Sequence, residues 1–455
     1  MDGNDRSIVG LVMLAHGMVH TYELSIPIFV SIWLSEFDVI RFAGMEVAVT
    51  QATLGVIVTA GYALFGLGAL PGGIVVDRVG SRRLIAACLF GMGGAFLLLG
   101  VAPSLVVVAL ALLAWGTAAS VYHPAGLTLI SKGVTERGTG FAYHGMAGNL
   151  GIGLGPLVTA TLLLVLDWTT VALVLAVPAA GAGLYALRAE FDETAGVETE
   201  GSGYREDGDA DDVAADGGDG GDSPVGTGVD SLGEFLTTSR HLFVGAFAVV
   251  FVIVMANGLF YRGVLTFLPN LLEDLPGFEP IALSALVPGI DGGDRALNPE
   301  RYFYAGLLLV GVAGQYVGGK LTDRLPPAYG IAAVFALLAV LALAFLPIAA
   351  LGMGPLLLFG ALFGVALFTA QPLYQAAVAD HTPAGTRGLS YGYTYLGGFG
   401  VGALGGGLAG AILTYADARA LFVTLAGIAL VASALALLLI RRERRDDGGD
   451  GATGA

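Results

Sequence analysis

The feature that most constrains this chain is a series of twelve apolar runs, each about the length needed to cross ~30 Å of hydrocarbon as a helix. They fall at roughly 8–34, 47–70, 84–101, 104–130, 140–166, 168–187, 242–270, 302–319, 328–347, 354–378, 388–414 and 418–440. A backbone in lipid must satisfy its own N–H and C=O groups, so such runs fold as helices. The chain is therefore expected to be an all-α membrane protein with twelve transmembrane helices. The first run is longer than the apolar core of a cleavable signal and reads as a retained span.

Charge is scarce and local. Only 13% of the residues are charged, against roughly a quarter in soluble domains. The net charge of −16 is concentrated in one stretch. Between Glu190 and Glu234 there are fifteen acids and one base, a local charge of −14. That Gly/Asp/Glu-rich stretch cannot bury enough apolar surface to order itself and is expected to be a disordered linker. The chain then divides into a first six-helix bundle (1–189), a linker (190–239), a second bundle (240–445) and a disordered tail (446–455).

Lys and Arg set the orientation. Arg6, Arg78, Arg82, Arg83, Lys132, Arg137, Arg188, Arg240, Lys320, Arg324, Arg387 and the cluster Arg441, Arg442, Arg444 and Arg445 share one side. Arg41, Arg295, Arg301 and Arg419, mixed with acids, occupy the other. Both termini are expected on the cytoplasmic side of the plasma membrane. Nothing in the sequence points to nucleic acid, a cofactor or a metal, and the single cysteine, Cys88, reads as packing. The expected partners are the lipid bilayer, a small organic solute and protons, with the chain acting as a monomer.

The two blocks of six spans repeat. Gly73-Ile74-Val75-Val76-Asp77-Arg78 matches Gly319-Lys320-Leu321-Thr322-Asp323-Arg324 at an offset of 246, and Pro124 and Arg137 recur as Pro372 and Arg387. Parallel six-span repeats around a central cavity are a transporter architecture. Gly73-x-x-x-Asp77-Arg78-x-Gly80-x-Arg82-Arg83 resembles the signature of the major facilitator superfamily, with a weaker echo at Asp323-Arg324. The resemblance implies two pseudo-symmetric six-helix bundles (the major facilitator fold), and a gating role for this motif. In that family Asp77 would face the N-terminus of span 11, near Gly388.

Spans 4 and 5 resemble drug/proton antiporters of the fosmidomycin-resistance type, through Trp115-Gly116-Thr117-Ala118-Ala119-Ser120-Val121-Tyr122-His123-Pro124 and Gly151-Ile152-Gly153-Leu154-Gly155-Pro156. The second run carries the antiporter motif Gly151, Gly155 and Pro156. Thr159-Ala160 replaces its usual Gly-Gly tail, and Leu112 stands where many proton antiporters have arginine. The resemblance implies proton-coupled export by alternating access. Uptake of a sugar or organic anion by symport or facilitation, and a non-transporting sensor, are the competing expectations.

Ionisable groups inside a membrane are costly and mark function. His16, His20 and Glu23 lie on one stripe of span 1, roughly 13, 20 and 24 Å into the helix. A desolvated carboxylate and neighbouring imidazoles can take up and release protons, so these three are the candidate coupling residues, Glu23 foremost. Arg262 in span 7 needs a carboxylate or an anionic solute, and Glu23, on the equivalent helix of the other half, is a candidate partner. Asn149, Gln315, Gln371, Tyr374 and Gln375, with Arg262, are the candidate solute contacts. Tyr316 adds a phenol in span 8. His123 reads as a cytoplasmic-side gate or a hydrogen bond to backbone beside Pro124, His144 as interfacial, and Trp33 as an interface anchor.

Overall fold

The computed structural model describes residues 1–197, 232–286, 295–382 and 386–449. Twelve helical spans follow one another in two blocks. The first block is span 1 (Gly3–Glu36), span 2 (Gln51–Leu67 continued by Ala69–Val79), span 3 (Ser81–Gly100), span 4 (Leu105–Ser120 and Tyr122–Gly133), span 5 (Arg137–Leu162) and span 6 (Trp168–Arg188). A connecting helix, Leu232–Val244, leads to the second block. There, spans 7 to 10 are Phe247–Leu265, Pro299–Thr322, Pro327–Ala349 and Met353–Asp380. Span 11 is built from Arg387–Tyr395, a π-helical turn Leu396–Val401 and Leu404–Tyr415, and span 12 begins at Ala418.

Among the described residues, eight helices are long and apolar enough to cross a membrane, and bent span 2 (48°) makes a ninth. The remaining three, spans 1, 5 and 8, carry the His16–Glu23 stripe, His144 with Asn149, and Gln315. Polar residues dilute apolarity where helices face one another rather than lipid.

Close packing positions the site. A Cβ on Gly151 would lie 2.3 Å from the Gly17 carbonyl oxygen, and one on Gly155 would lie 2.6 Å from the Thr21 backbone. The antiporter-motif glycines therefore let span 5 press directly onto span 1, as small residues do in membrane bundles. Between the halves, span 2 packs on span 11 and span 5 on span 8.

The all-α membrane architecture holds, with hairpin Val39–Phe42/Met45–Ala48 and the short pair Ile281–Ala282/Ala296–Leu297 between spans. Other expectations are corrected here. The linker is narrower than 190–239, because residues up to Val197 make defined contacts and the connecting helix begins at Leu232. Helix also continues through Gly449, into the expected tail. The rest of the linker (198–231) and tail (450–455) lie outside the described residues. Trp33 is fully buried, with ring centroids 6.0 Å from both Phe29 and Trp168, so it is core rather than an interface anchor. Cys88 is buried among apolar neighbours.

Candidate functional site

Span 1 presents His16, His20 and Glu23 at helical spacing, and the three are 7%, 7% and 1% exposed. The stripe is continuous. His16 Nε2 lies 3.0 Å from His20 Nε2, and His20 Nδ1 lies 2.5 Å from a Glu23 carboxylate oxygen. The other Glu23 oxygen accepts from the Arg262 guanidinium, 1% exposed, from span 7. This contact joins the two halves across the centre of the bundle.

The environment of the ion pair is aromatic. The Arg262 guanidinium carbon sits 3.7 Å from the Tyr62 ring centroid and 5.6 Å from that of Tyr261. A desolvated cation over a ring face gains roughly 2 kcal/mol. Tyr62 donates its hydroxyl to the Glu23 carbonyl at 2.6 Å, tying span 2 to the same turn of span 1. The buried Tyr304 hydroxyl of span 8 has no hydrogen-bond partner.

At the other end, four histidines from three spans form one cluster. His144 stacks on His16 with ring centroids 3.8 Å apart, and its backbone carbonyl accepts from His16 Nδ1 at 2.7 Å. His123 stands 5.3 Å from His16 and 5.8 Å from His20. Ring nitrogens of His16, His20 and His123 all lie within 4.8 Å of one another. Tyr122 flanks the cluster, 5.4 Å from the His16 ring, and donates to the Val12 carbonyl at 2.6 Å. Gly148 completes the fit: a Cβ there would lie 2.4 Å from the His16 ring.

His144, expected at the interface, is therefore buried in the cluster, with its Nε2 unpartnered. His123 faces Tyr395 at 4.8 Å and Phe399 at 6.1 Å. Both aromatics belong to the region where span 11 adopts its π turn, a feature frequent at functional sites.

The other candidates are dispersed. Gln315 donates to Gln371 at 3.1 Å, linking spans 8 and 10 within the second half. Tyr374 is buried, Asn149 is half-buried, and Gln375 and Tyr316 are exposed. None of these six shares a hydrogen bond with the Arg262–Glu23 pair among the described residues. The sequence reading missed Tyr62, Tyr261 and Tyr304. Tyrosines in predicted apolar spans were the available signal, but no spacing tied them to Arg262.

The residues of the expected gating motif lie where span 2 ends and span 3 begins. Gly80 has φ +86°, a conformation that favours glycine. Asp77 pairs with Lys132 at the end of span 4, 3.3 Å away. Gly73 is half-buried in span 2, and Arg78 and Arg83 are exposed. The Glu193 carboxylate accepts from Ser81 N (2.9 Å) and Arg82 N (3.3 Å), meeting the positive end of span 3. Arg82 donates to the Ala189 carbonyl at 2.8 Å. In the second half Asp323 pairs with Lys320, 3.3 Å away, and Arg324 is exposed.

A profile of the Major Facilitator Superfamily matches residues 11–405 and again 302–455. The chain belongs to the major facilitator superfamily. It is thus a multi-pass membrane transporter rather than an enzyme. Solved structures agree in fold, at identities too low to carry function. The nucleoside transporter NupG superposes with a TM-score of 0.65 at 14% identity, over 95% of this chain and 99% of that one. A bacterial homolog of the human lysosomal transporter Spinster, inward-facing and unoccupied, gives a TM-score of 0.65 at 14% identity, over 97% and 98% of the two chains. A segment of 115 residues is 37% identical to a puromycin resistance protein of Streptomyces alboniger, covering 25% of this chain and 23% of that protein. The match thus spans about a quarter of that relative's length.

Proposed function

We propose that this facilitator exports a small, drug-like organic solute in exchange for protons, by alternating access. The observation that carries the reading is the unbroken buried chain Arg262–Glu23–His20–His16, in which imidazoles bond directly to an ion pair that joins the two halves. Alternating access requires the halves to rock against each other around a central site. A group whose charge changes in such a contact makes the rocking depend on protonation, which is what coupling demands. The likeness to a puromycin resistance protein of Streptomyces alboniger favours outward movement of a drug-like molecule.

The Lys/Arg bias supports a plasma-membrane orientation with both termini cytoplasmic. A closed bundle of twelve helices supports action as a monomer. Solute contacts are assigned to Arg262 with Asn149, Gln315, Gln371, Tyr374 and Gln375, and we add Tyr304. Uptake of an organic anion on Arg262 is disfavoured, because Glu23 already occupies that guanidinium.

The test is reconstitution into liposomes carrying a pH gradient, with candidate solutes added to wild type and Glu23→Gln side by side. Solute-dependent dissipation that is lost in the variant is expected. Equilibration of labelled solute by the wild type with no proton movement would sink the coupling reading and leave a facilitator.

A further inference from the structure

The geometry points to one proton held between His16 Nε2 and His20 Nε2 as the resident coupling ion, with Glu23 remaining an ionised anchor for Arg262. The transport consequence rests on the coupling reading above; the position of the proton does not.

The hydrogen-bond partners fix the tautomers. His16 Nδ1 faces the His144 carbonyl oxygen at 2.7 Å, and a carbonyl only accepts, so Nδ1 carries hydrogen. His20 Nδ1 faces the Glu23 carboxylate at 2.5 Å, and Arg262 bonds the other carboxylate oxygen. A carboxylate held by a guanidinium accepts only, so this Nδ1 carries hydrogen too. Two neutral rings with these tautomers would aim bare lone pairs at each other from the two Nε2 atoms. Those atoms are nevertheless 3.0 Å apart, which is an N–H···N hydrogen-bond distance. One ring must carry a second hydrogen, and the pair shares it.

A metal ion is the competing occupant, since His123 brings a third ring nitrogen within 4.8 Å. Distance and charge both favour the proton. Two nitrogens on a tetrahedral zinc, each about 2.0–2.1 Å from the metal, stand roughly 3.3 Å apart, wider than the 3.0 Å found here. Arg262 and Glu23 cancel, so a shared proton leaves one net positive charge where a dication would leave two. Glu23 is the one carboxylate hydrogen-bonded to this network among the described residues.

The named groups around the pair are Glu23 from span 1, Tyr122 and His123 from span 4, His144 from span 5 and, through Glu23, Arg262 from span 7 and Tyr62 from span 2, with Tyr395 of span 11 behind His123. The way out is toward span 5. His144 stacks on His16, is buried seven positions after its helix starts at Arg137, and offers an Nε2 unpartnered among the described residues as the next acceptor.

The experiment uses full-length protein in nanodiscs, with 15N-labelled histidine. At about pH 9, above the ordinary imidazole range near 6.5, exposed histidines are neutral. One shared imidazolium signal is expected in wild type, and is expected to vanish in His16→Phe and in His20→Phe. Absence of that signal from wild type overturns the inference, whatever the variants do. So does stoichiometric transition metal in the purified protein that is lost with His16→Phe. In liposomes, His16→Phe is expected to lose solute-linked proton movement while solute still equilibrates. Unchanged proton-to-solute stoichiometry in that variant would overturn the carrier role yet leave proton-coupled export standing. A wild type without proton movement would sink the coupling reading and the carrier role with it, while the spectrum still decides where the proton sits.

Discussion

Glu23 and Arg262 lie 239 positions apart, on the first span of each half, and meet as an ion pair whose side chains are 1% and 2% exposed. Breaking one member of such a pair leaves a charge stranded in low dielectric, whereas removing both does not. The pair therefore acts as a latch whose strength depends on what else bonds to Glu23, and His20 does so directly.

Arg262→Gln is expected to cost about 3–5 kcal/mol, because Glu23 stays buried without its counter-charge. The double variant Glu23→Gln/Arg262→Gln should recover most of that loss. Thermal unfolding of the purified variants in detergent reads it. Additive single effects would mean that the pair is not coupled.

Gly151→Ala places a methyl 2.3 Å from the Gly17 carbonyl oxygen, where only backbone can give way. Overpacking of this kind costs about 1–3 kcal/mol. Because spans 1 and 5 would separate, the His144–His16 stack should open and solute-linked proton flux should fall together with stability. Gly145→Ala, with open space around its Cβ position, serves as the neutral control.

Asp167 caps the N-terminus of span 6 outside the membrane. The Thr169 hydroxyl, followed by the Thr170 amide and hydroxyl, holds its carboxyl down to about 2. A depressed carboxyl stabilises the fold above its unfolded value near 3.8 and loses that contribution as pH falls through about 2. Asp167→Asn can keep the cap but cannot titrate, so melting temperature measured against pH should flatten in that acid window.

Replacing residues 198–231 with an uncharged Gly/Ser tether of equal length is expected to leave transport at the wild-type rate. Loss of an output with the bundle intact would instead favour a signalling role for the acidic segment. Glu193→Ala, by contrast, uncovers the amides of Ser81 and Arg82 and should destabilise span 3 by about 0.5–2 kcal/mol.

The sequence by itself determined the span pattern, the duplication and the His16–His20–Glu23 stripe, because each is local or periodic. Twenty-residue apolar runs report membrane helices, a constant offset reports a repeat, and i, i+4, i+7 spacing reports a shared helix face. It did not determine which residues from other helices complete that face. His123, His144, Tyr62 and Tyr304 are ordinary in their own spans and become site residues only through packing. That packing is set by close approaches such as Gly148 against the His16 ring and Gly151 against Gly17. Helix rotation and crossing arise from side-chain fit between distant segments, which no one-dimensional period encodes. The same holds for Asp77, whose motif was legible at once but whose partner, Lys132, was decided by where span 4 ends in space.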